Sequence, residues 1–511
     1  MIQEPASTTF LLPDAMRDEQ IWHDVQAPYV IERIRRAKGR RRYYDTFDWR
    51  LYRADLVLVW EDDRYELRSL GTNEVLASLD AVGQQRFWWE FRDGSLKNKL
   101  KKYLEERALI PLVSVHIDRK AADVLNTDRK TVARVAVERI TLPNGDEDSA
   151  EVWAMTLRPV RGYRKDFRFL RDSLVRRGLD DRGKSWFEVV LDRVGKTPGD
   201  YSSKLDVELA PAMLARGAAV AIFKHLLETI ERNEQGVCQD IDTEFLHDFR
   251  VAVRRTRAGI SQIKEVFPEQ ATRRFRSDFS KLGKLTNRLR DLDVYLLTKD
   301  EYGRMLPQQL RGALQPMFDA LAHERTRELG RVVETIRGSD YRARLNEWRS
   351  FLDNPSVFGP DSPNALLPIE QLAKRWIRKR HRRLVRKGKA IDDTSPDADL
   401  HALRIEGKKL RYLLEFFVSL FPAAEISGLV KQLKKLQDNL GEFNDLSVQQ
   451  DELEHWLAQP GLPPDTVAAI GGLITELSRR QADVRRRFGQ TFSGFVSARN
   501  TSAYRKLFDT G

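Results

Sequence analysis

The sequence contains one cysteine, Cys238, in 511 residues, and it lacks long apolar runs. A single thiol excludes an intramolecular disulfide framework and a zinc site built from cysteines. No apolar stretch approaches the roughly 18 residues of a membrane-spanning helix, so no span is predicted. The first residues do not form a basic segment followed by an apolar one, and a secretory signal is therefore not expected. These absences fit a protein of the reducing cytoplasm.

Charged residues, by contrast, are abundant. Lys and Arg number 88 against 76 Asp and Glu, which gives a formal net charge of +12. A basic balance favours polyanionic partners such as nucleic acid, an anionic membrane surface or polyphosphate. It is equally compatible with a surface charge that only keeps the protein soluble. The distribution of the charge along the chain has to decide between these interpretations.

The pattern of residues changes near position 200. Before it, 55–70, 109–117 and 133–160 read as β-strands, the last as two strands around a Pro-Asn-Gly-Asp turn, with a helical pattern at 95–108. Residues 166–194 are helical in pattern, and the Gly-, Pro- and Ser-containing stretch after them resembles a linker. Beyond 210 the pattern is helical almost to the end. The sequence therefore predicts a two-domain α+β protein with domains at 1–200 and 205–511.

Two stretches of the helical region align without a gap at an offset of 154 residues. They are FLHDFRVAVRRTRAGISQIKEVFP (245–268) and DLHALRIEGKKLRYLLEFFVSLFP (399–422), and RLRDLDV (288–294) aligns with EFNDLSV (442–448) at the same offset. An unbroken offset over some fifty residues favours an internal duplication. We therefore expect two helical halves, at about 210–355 and 365–511, packed as pseudo-symmetric bundles.

Each repeated stretch predicts an amphipathic helix with a cationic face. In the first copy the apolar residues follow spacings of 4, 3, 4, 3 and 4, which is one face of a helix. They are Phe249, Val253, Thr256, Ile260, Ile263 and Phe267. The repeated histidine and cations are His247, Arg250, Arg254, Arg255 and Arg257, and His401, Arg404, Lys408, Lys409 and Arg411.

Further cations lie on neighbouring predicted helices. They are Lys281, Lys284 and Arg288 in the first half, Lys431, Lys434 and Lys435 in the second, and Arg375, Lys379 and Arg382 within the basic run 374–389. Like charges crowded on one helix disfavour it by a few tenths of a kcal/mol per pair, which a bound polyanion would offset. If the cationic faces of these helices converge, they form a groove that could bind a linear anion. The alternatives are a solvated face for the cations and a capping or packing role for the histidines.

Neither histidine has neighbours at metal-ligand spacing, so no metal site and no cofactor are predicted. Asp291 and Asp445, which occupy matching positions of the repeat, are interpreted as structural acids that pair with arginines between helices.

The repeated H-x-x-R-[VI]-x-x-[RK]-[RK]-x-R pattern with Phe-Pro, followed by R-D-L-D and N-D-L, resembles the CHAD domain, the conserved histidine α-helical domain. The resemblance covers roughly 205–511. It implies an all-helical fold of two pseudo-symmetric bundles and a basic central cavity that binds inorganic polyphosphate. The repeated histidines and cations would then be binding residues, with the cations of the adjacent helices lining the cavity.

Residues 1–200 resemble, more weakly, the CYTH domain, an antiparallel β-barrel of the triphosphate-tunnel type. The resembling segments are YYDTFDWRLYRADLVLVW (43–60) and YSSKLDVEL (201–209). An active tunnel begins with E-x-E-x-K, whose glutamates bind the activating metal, yet this chain has ASTTFLLP (6–13) there. The later strand has Thr156 and Arg158 where alternating glutamates are usual. Because Mg²⁺ and Mn²⁺ need hard carboxylate ligands, we expect a degenerate, non-catalytic tunnel.

Three functional hypotheses follow. The first is a cytoplasmic, non-catalytic polyphosphate-binding protein, which polyphosphate granules would recruit. The second is a divergent metal-dependent triphosphatase with carboxylates at Glu61, Glu66, Glu90 or Glu138. The third is a nucleic-acid-binding protein, although the cationic faces lack interleaved aromatic residues. The sequence does not predict a chain-length preference or an oligomeric state.

Overall fold

The computed structural model describes residues 7–13, 29–81, 83–142, 151–179, 186–355 and 362–509. The chain divides into two compact units, here called the sheet domain (Met1–Ser202) and the helical domain (Ser203–Gly511). The predicted two-domain α+β class is confirmed, with an antiparallel sheet followed by helices.

The described residues of the sheet domain form eight strands and three α-helices. The strands are β1 (Thr8–Leu11), β2 (Val30–Asp45), β3 (Leu56–Glu61), β4 (Arg64–Ser69), β5 (Val75–Asp80), β6 (Ile110–Leu125), β7 (Thr131–Thr141) and β8 (Glu151–Pro159). The helices are α1 (Ser95–Leu104), α2 (Arg164–Arg176) and α3 (Trp186–Arg193). The predicted strands and the helix at 95–108 are thus present. The predicted Pro-Asn-Gly-Asp turn lies outside the described residues.

The eight strands form one antiparallel sheet in the order β1-β8-β7-β6-β2-β3-β4-β5. Its register places Thr9 opposite Thr156, Glu138 opposite Arg119, and Arg41 opposite Glu61. Because side chains alternate between faces along a strand, these residues project from one face of the sheet. Further along that face, apolar side chains from the central strands pack against Trp186 and Phe187 of α3. This arrangement is consistent with a CYTH-like tunnel.

The α-helices of the helical domain fall into two series. The first comprises α4 (Ala215–Cys238), α5 (Thr243–Gln262), α6 (Glu269–Leu285), α7 (Asn287–Leu297), α8 (Lys299–Met305), α9 (Gln315–Arg337) and α10 (Ser339–Asp353). The second comprises α11 (Ile369–Gly388), α12 (Asp397–Phe416), α13 (Ala423–Leu457), α14 (Pro464–Phe495) and α15 (Ala498–Phe508). No helix in the described part of the chain combines the length and apolarity needed to cross a membrane.

The two copies of the repeated stretch form the matching helices α5 and α12, which pack against each other. All six residues of the predicted apolar face are buried, but only four lie on α5, because the helix ends at Gln262 and Ile263 and Phe267 follow it. The face packs closely because Gly236 on α4 leaves room for the ring of Phe245, which lies about 2.0 Å from where a Cβ would stand. The cationic face of α5 is thereby held away from the core.

The copies differ in one respect that affects the site. In the first half the helix is interrupted at Thr286, which separates α6 from α7. In the second half α13 continues without interruption through the matching position, Leu440. The break exposes backbone and side-chain oxygens of the first half to the neighbouring α5.

Candidate anion-binding site

Arg250 uses the break between α6 and α7. Its guanidinium donates hydrogen bonds to the Gly283 carbonyl at 3.2 Å, to Thr286 Oγ1 at 2.7 Å and to Asn287 Oδ1 at 3.0 Å. All three acceptors are neutral, so Arg250 is oriented without being neutralised. Burial lowers its pKa to about 10, against the opposing influence of the Asp291 carboxylate. The residue therefore stays cationic at neutral pH.

Four cations from the two copies come together where α5 meets α12. We call Arg250, Arg254, Arg404 and Lys408 the α5–α12 cluster. Burial, and after it the charges of Arg404, Arg254 and Arg411, lower the pKa of Lys408 to about 8, against the opposing influence of Asp445. The Nε–H groups of Arg254 and Arg404 are buried and have no hydrogen-bond partner among the described residues. Asp445 lies 3.3 Å from Arg404 and only partly offsets the positive charge.

The matching histidines lie at the same end of α5 and α12. His247 is half-buried, and His401 is exposed with its Nδ1 at 2.7 Å from Asn444 Oδ1. Since an amide oxygen only accepts, His401 donates there from Nδ1, which leaves Nε2 as the acceptor in the neutral ring. The described residues contain no group of three or more His, Cys, Asp or Glu side chains that could hold a metal ion.

A second polar surface continues the cationic face of α5. A cavity of about 560 Å³ between α5 and α6, here called the α5–α6 pocket, is lined by Arg257, Ser261, Arg273, Arg276, Ser277 and Ser280. Of these residues, only Arg257 belongs to the set predicted from the sequence. The serines and arginines of α6 could have been predicted to share one helix face, because they are spaced three or four residues apart. The predicted cations of α6, Lys281 and Lys284, do not line this pocket.

Several predicted site residues have carboxylate partners. Arg255 and Arg411 both pair with Glu415, at 3.1 Å and 2.9 Å. Lys409 pairs with Glu406 at 3.1 Å, and Arg288 forms two-pronged contacts with Glu324 and Glu452. Arg255 and Arg288 thereby join helices, whereas Lys409 and Arg411 pair within α12.

The remaining predicted residues point in several directions. Lys281 lines a different cavity, between α6 and α10, and Arg375 donates to Asn364 Oδ1 at 3.2 Å. Arg382 lines a pocket between α11 and α15. The lysines left exposed on α6, α11 and α13 are Lys284, Lys379, Lys431, Lys434 and Lys435. The geometry thus brings the α5–α12 cluster together and disperses the basic run of α11 around its helix.

The face of the sheet domain that would line a tunnel is also rich in arginine, but it contains carboxylates. Arg41 is fully buried and donates to Glu138 at 2.9 Å and to Glu61 at 2.8 Å, and Arg119 Nε donates to Glu138 at 2.6 Å. Burial alone would lower the pKa of Arg41, but the Glu138 carboxylate outweighs it and holds that pKa well above its ordinary value. The pKa of Glu138 is correspondingly far below its ordinary range, because Arg41 outweighs the effect of burial.

The other carboxylates of the triphosphatase hypothesis also have hydrogen-bond donors. Glu66 accepts from Arg68 at 2.6 Å, and Glu90 accepts the backbone N–H of Arg86 at 2.7 Å. On β1 and β8 the Thr9 and Thr156 hydroxyls lie 3.1 Å apart.

Comparison with known proteins agrees with this description. The family model of the CHAD domain matches residues 221–454. No curated protein matches the chain significantly. Similar solved structures include the CHAD domain from the plant Ricinus communis, which is 23% identical over 58% of this chain and 97% of that chain, with a TM-score of 0.49. PptA from Streptomyces chartreusis is 15% identical over 56% of this chain and 100% of that chain, with a TM-score of 0.43. The repeated motif, the paired helices and the family match together identify a CHAD domain at residues 221–454 of this chain.

Proposed function

We propose that the helical domain binds inorganic polyphosphate, without catalysis, along the cationic face formed by the α5–α12 cluster. The observation that carries the proposal is the convergence of Arg254, Arg404 and Lys408, where burial and then the charges of the two arginines lower the pKa of Lys408 to about 8. Half-buried like charges disfavour the folded state unless an opposite charge joins them. A bound phosphate chain supplies that charge and accepts from the unpartnered Nε–H groups of Arg254 and Arg404.

A linear polyanion suits the shape of this surface. Arg250, Arg254, Arg257 and Ser261 follow one face of α5. The first and the last are eleven residues apart, which at a rise of 1.5 Å per residue is about 16 Å. The path leads from the cluster into the α5–α6 pocket. Guanidinium groups hold phosphate oxygens in a fork, while lysine contributes a mobile point charge. The resemblance to CHAD domains implies the same ligand.

Binding without hydrolysis is supported by the acids of the chain. Hydrolysis of a phosphoanhydride at a metal centre needs carboxylates free to ligate the ion. In the sheet domain, Glu61 and Glu138 are already engaged by arginines. We therefore favour binding over the triphosphatase alternative, which metal-dependent release of phosphate from tripolyphosphate would reveal. In the cell, we expect polyphosphate granules to recruit the protein through the same contacts.

The test is a salt titration of long-chain polyphosphate binding to the full chain and to the variant Arg250→Gln, Arg254→Gln, Arg404→Gln, Lys408→Gln. A matched control replaces four exposed arginines, Arg327, Arg342, Arg479 and Arg486, by Gln. Both variants lower the formal net charge from +12 to 12 − 4 = +8. Any difference between them therefore reports position and not total charge.

We expect the cluster variant to lose about 100-fold or more in affinity at fixed salt, since charge-assisted hydrogen bonds contribute about 1.5–3 kcal/mol each. Its affinity should also depend less steeply on salt, because fewer counterions are released. The control should bind within about threefold of wild type, as expected for exposed charges. Equal losses in both variants would reject the site. Duplex DNA as competitor at the same salt separates polyphosphate from nucleic acid as the preferred ligand.

A further inference from the structure

The helical domain contains a second basic pocket, between α11 and α15, on a surface that the cluster does not reach. It has a volume of about 460 Å³. Its lining includes two buried rings, His381 and Tyr504, and five cations, which are Arg378, Arg382, Arg386, Lys389 and Arg505. We call it the α11–α15 pocket. Its volume lies within the usual range for small-ligand sites, about 300–1,000 Å³.

The two rings present polar atoms that lack partners. His381 is 9% exposed and Tyr504 is 3% exposed. The rings stack with their centroids 3.7 Å apart, and the edge of His381 also meets Phe495. Among the described residues, neither His381 Nε2 nor Tyr504 Oη has a hydrogen-bond partner. A buried polar group left unpaired costs about 1–3 kcal/mol, and such groups are uncommon unless a ligand or water satisfies them.

Three of these cations also lack a carboxylate partner. In the described part of the chain, Arg382, Arg386 and Lys389 form no ion pair, and the acid of the pocket, Asp509, lies 3.6 Å from Arg378 instead. Exposed cations are thus gathered around a cavity whose wall contains two buried hydrogen-bonding groups, His381 and Tyr504. Because burial, and then the Arg382 charge, lower the pKa of His381 to about 4, its ring is neutral at physiological pH.

We infer that the α11–α15 pocket binds a compact anion with one or two phosphate groups, which Arg382 and Arg386 attract and the buried Tyr504 hydroxyl and His381 imidazole complete by hydrogen bonds. The phosphate oxygens accept from Tyr504 Oη and from His381 Nε2 in the tautomer that is protonated there. Arginine forks provide the remaining donors. Inorganic pyrophosphate and a phosphate ester share this chemistry. The site does not depend on polyphosphate binding at the α5–α12 cluster.

The experiment titrates pyrophosphate, and separately AMP, into the full chain by calorimetry. Three variants accompany the wild type: Tyr504→Phe, which keeps the ring stack and removes one hydroxyl, the double variant Arg382→Gln, Arg386→Gln, and the cluster variant described above. Thermal unfolding of each variant checks that it is folded. A second measurement needs no substitution: the His381 ring resonance of histidine-labelled wild-type protein is followed by NMR during the pyrophosphate titration.

In the cluster variant, which removes any pyrophosphate bound at the α5–α12 cluster, we expect the affinity of the remaining site to stay within twofold of wild type. The double variant should weaken that site at least tenfold and Tyr504→Phe about threefold to tenfold. The His381 resonance should shift on binding. Binding of AMP with the same dependence on the variants would identify a phosphate ester as a ligand, and binding of pyrophosphate alone would identify an inorganic one. If both pocket variants bind like wild type, or if the His381 resonance does not move at saturation, the inference is wrong. Loss of pyrophosphate binding only in the cluster variant would overturn this site and leave the proposed polyphosphate site intact.

Discussion

The sheet domain and the helical domain both collect arginines on one surface, but they balance the charge differently. In the sheet domain Arg41 lies between Glu61 and Glu138, so that its positive charge is met inside the fold. In the helical domain Arg254 and Lys408 come together with cations as their neighbours. An arginine is therefore neutralised within the fold in the first case, whereas in the second we propose that an external anion neutralises it. The two domains differ because a carboxylate lies beside the arginine in the sheet domain and other cations lie beside it in the helical domain.

The largest effect is expected from removing the buried arginine of the sheet domain. Arg41→Leu leaves Glu138 buried without its main partner, and breaking a buried ion pair on one side costs about 3–5 kcal/mol. Hydrogen exchange of β2, β6 and β7 peptides in the full chain measures this local free energy. Arg36→Leu, an exposed position on the same strand, is the control and should change it by less than about 0.5 kcal/mol. Similar protection in both variants would show that the arginine is not holding the sheet together.

The second prediction concerns the pH dependence of polyphosphate binding. Lys408 has a pKa of about 8 in the free protein, and a bound polyanion favours its charged form, so that binding takes up a proton above pH 8. Affinity should fall about tenfold between pH 7.5 and 9.5. Lys408→Arg keeps the charge throughout that range and should flatten the profile. An unchanged slope in Lys408→Arg would place the titrating group elsewhere.

The third prediction is a gain of stability in the helical domain. Lys408→Met removes a positive charge that the neighbouring cations repel. We expect the free energy of unfolding at pH 7 to increase by about 1 kcal/mol. An unfolded lysine keeps its proton up to a pKa near 10.4, whereas the folded one loses it near 8, so wild-type stability rises with pH between these values. The advantage of the variant should accordingly be full below pH 8 and shrink towards pH 10. Urea unfolding of the variant and of wild type at pH 7 and pH 10 measures this difference in the free energy of unfolding. A variant less stable than wild type at pH 7 would show that the cluster does not destabilise the charged Lys408.

The smallest effect on binding is expected from an arginine whose charge is already balanced. Arg288→Gln removes a cation that Glu324 and Glu452 hold, so polyphosphate affinity should change by less than about twofold. Arg254→Gln, the matched single substitution in the cluster, should cost about tenfold. A larger loss in Arg288→Gln than in Arg254→Gln would show that ion pairing within the fold does not remove a cation from the site.

Much of the fold was predictable from local patterns. The spacing of Phe249, Val253 and Ile260 predicts the buried face of α5, and the burial of all three confirms it. The repeat at an offset of 154 predicts two matching helices, and α5 and α12 are those helices. The strand patterns before residue 160 are present as β3, β4, β6, β7 and β8. These features depend on periodicity, which is a property of neighbouring residues.

The composition of the site was predictable only in part. Arg254, Arg404 and Lys408 were predicted from the repeat, but so were Arg255, Lys409 and Arg411, whose carboxylate partners lie one helix turn away or on the neighbouring helix. Lys281 and Arg382 were assigned to the same surface and lie in other pockets. Ser277, Ser280 and Arg276 were not predicted, although they line the α5–α6 pocket.

The sequence by itself determined which helices are amphipathic, which two of them match, and that positive charge is repeated with them, because 3.6-residue periodicity and duplication are both written in the order of residues. Only the tertiary structure decided which cations keep a free charge. That outcome depends on which carboxylates lie within about 4 Å of each guanidinium, and Arg288 meets Glu452, 164 residues further along the chain, while Arg254 meets another cation. Ion pairing falls off over a few ångströms in space and takes no account of distance along the sequence.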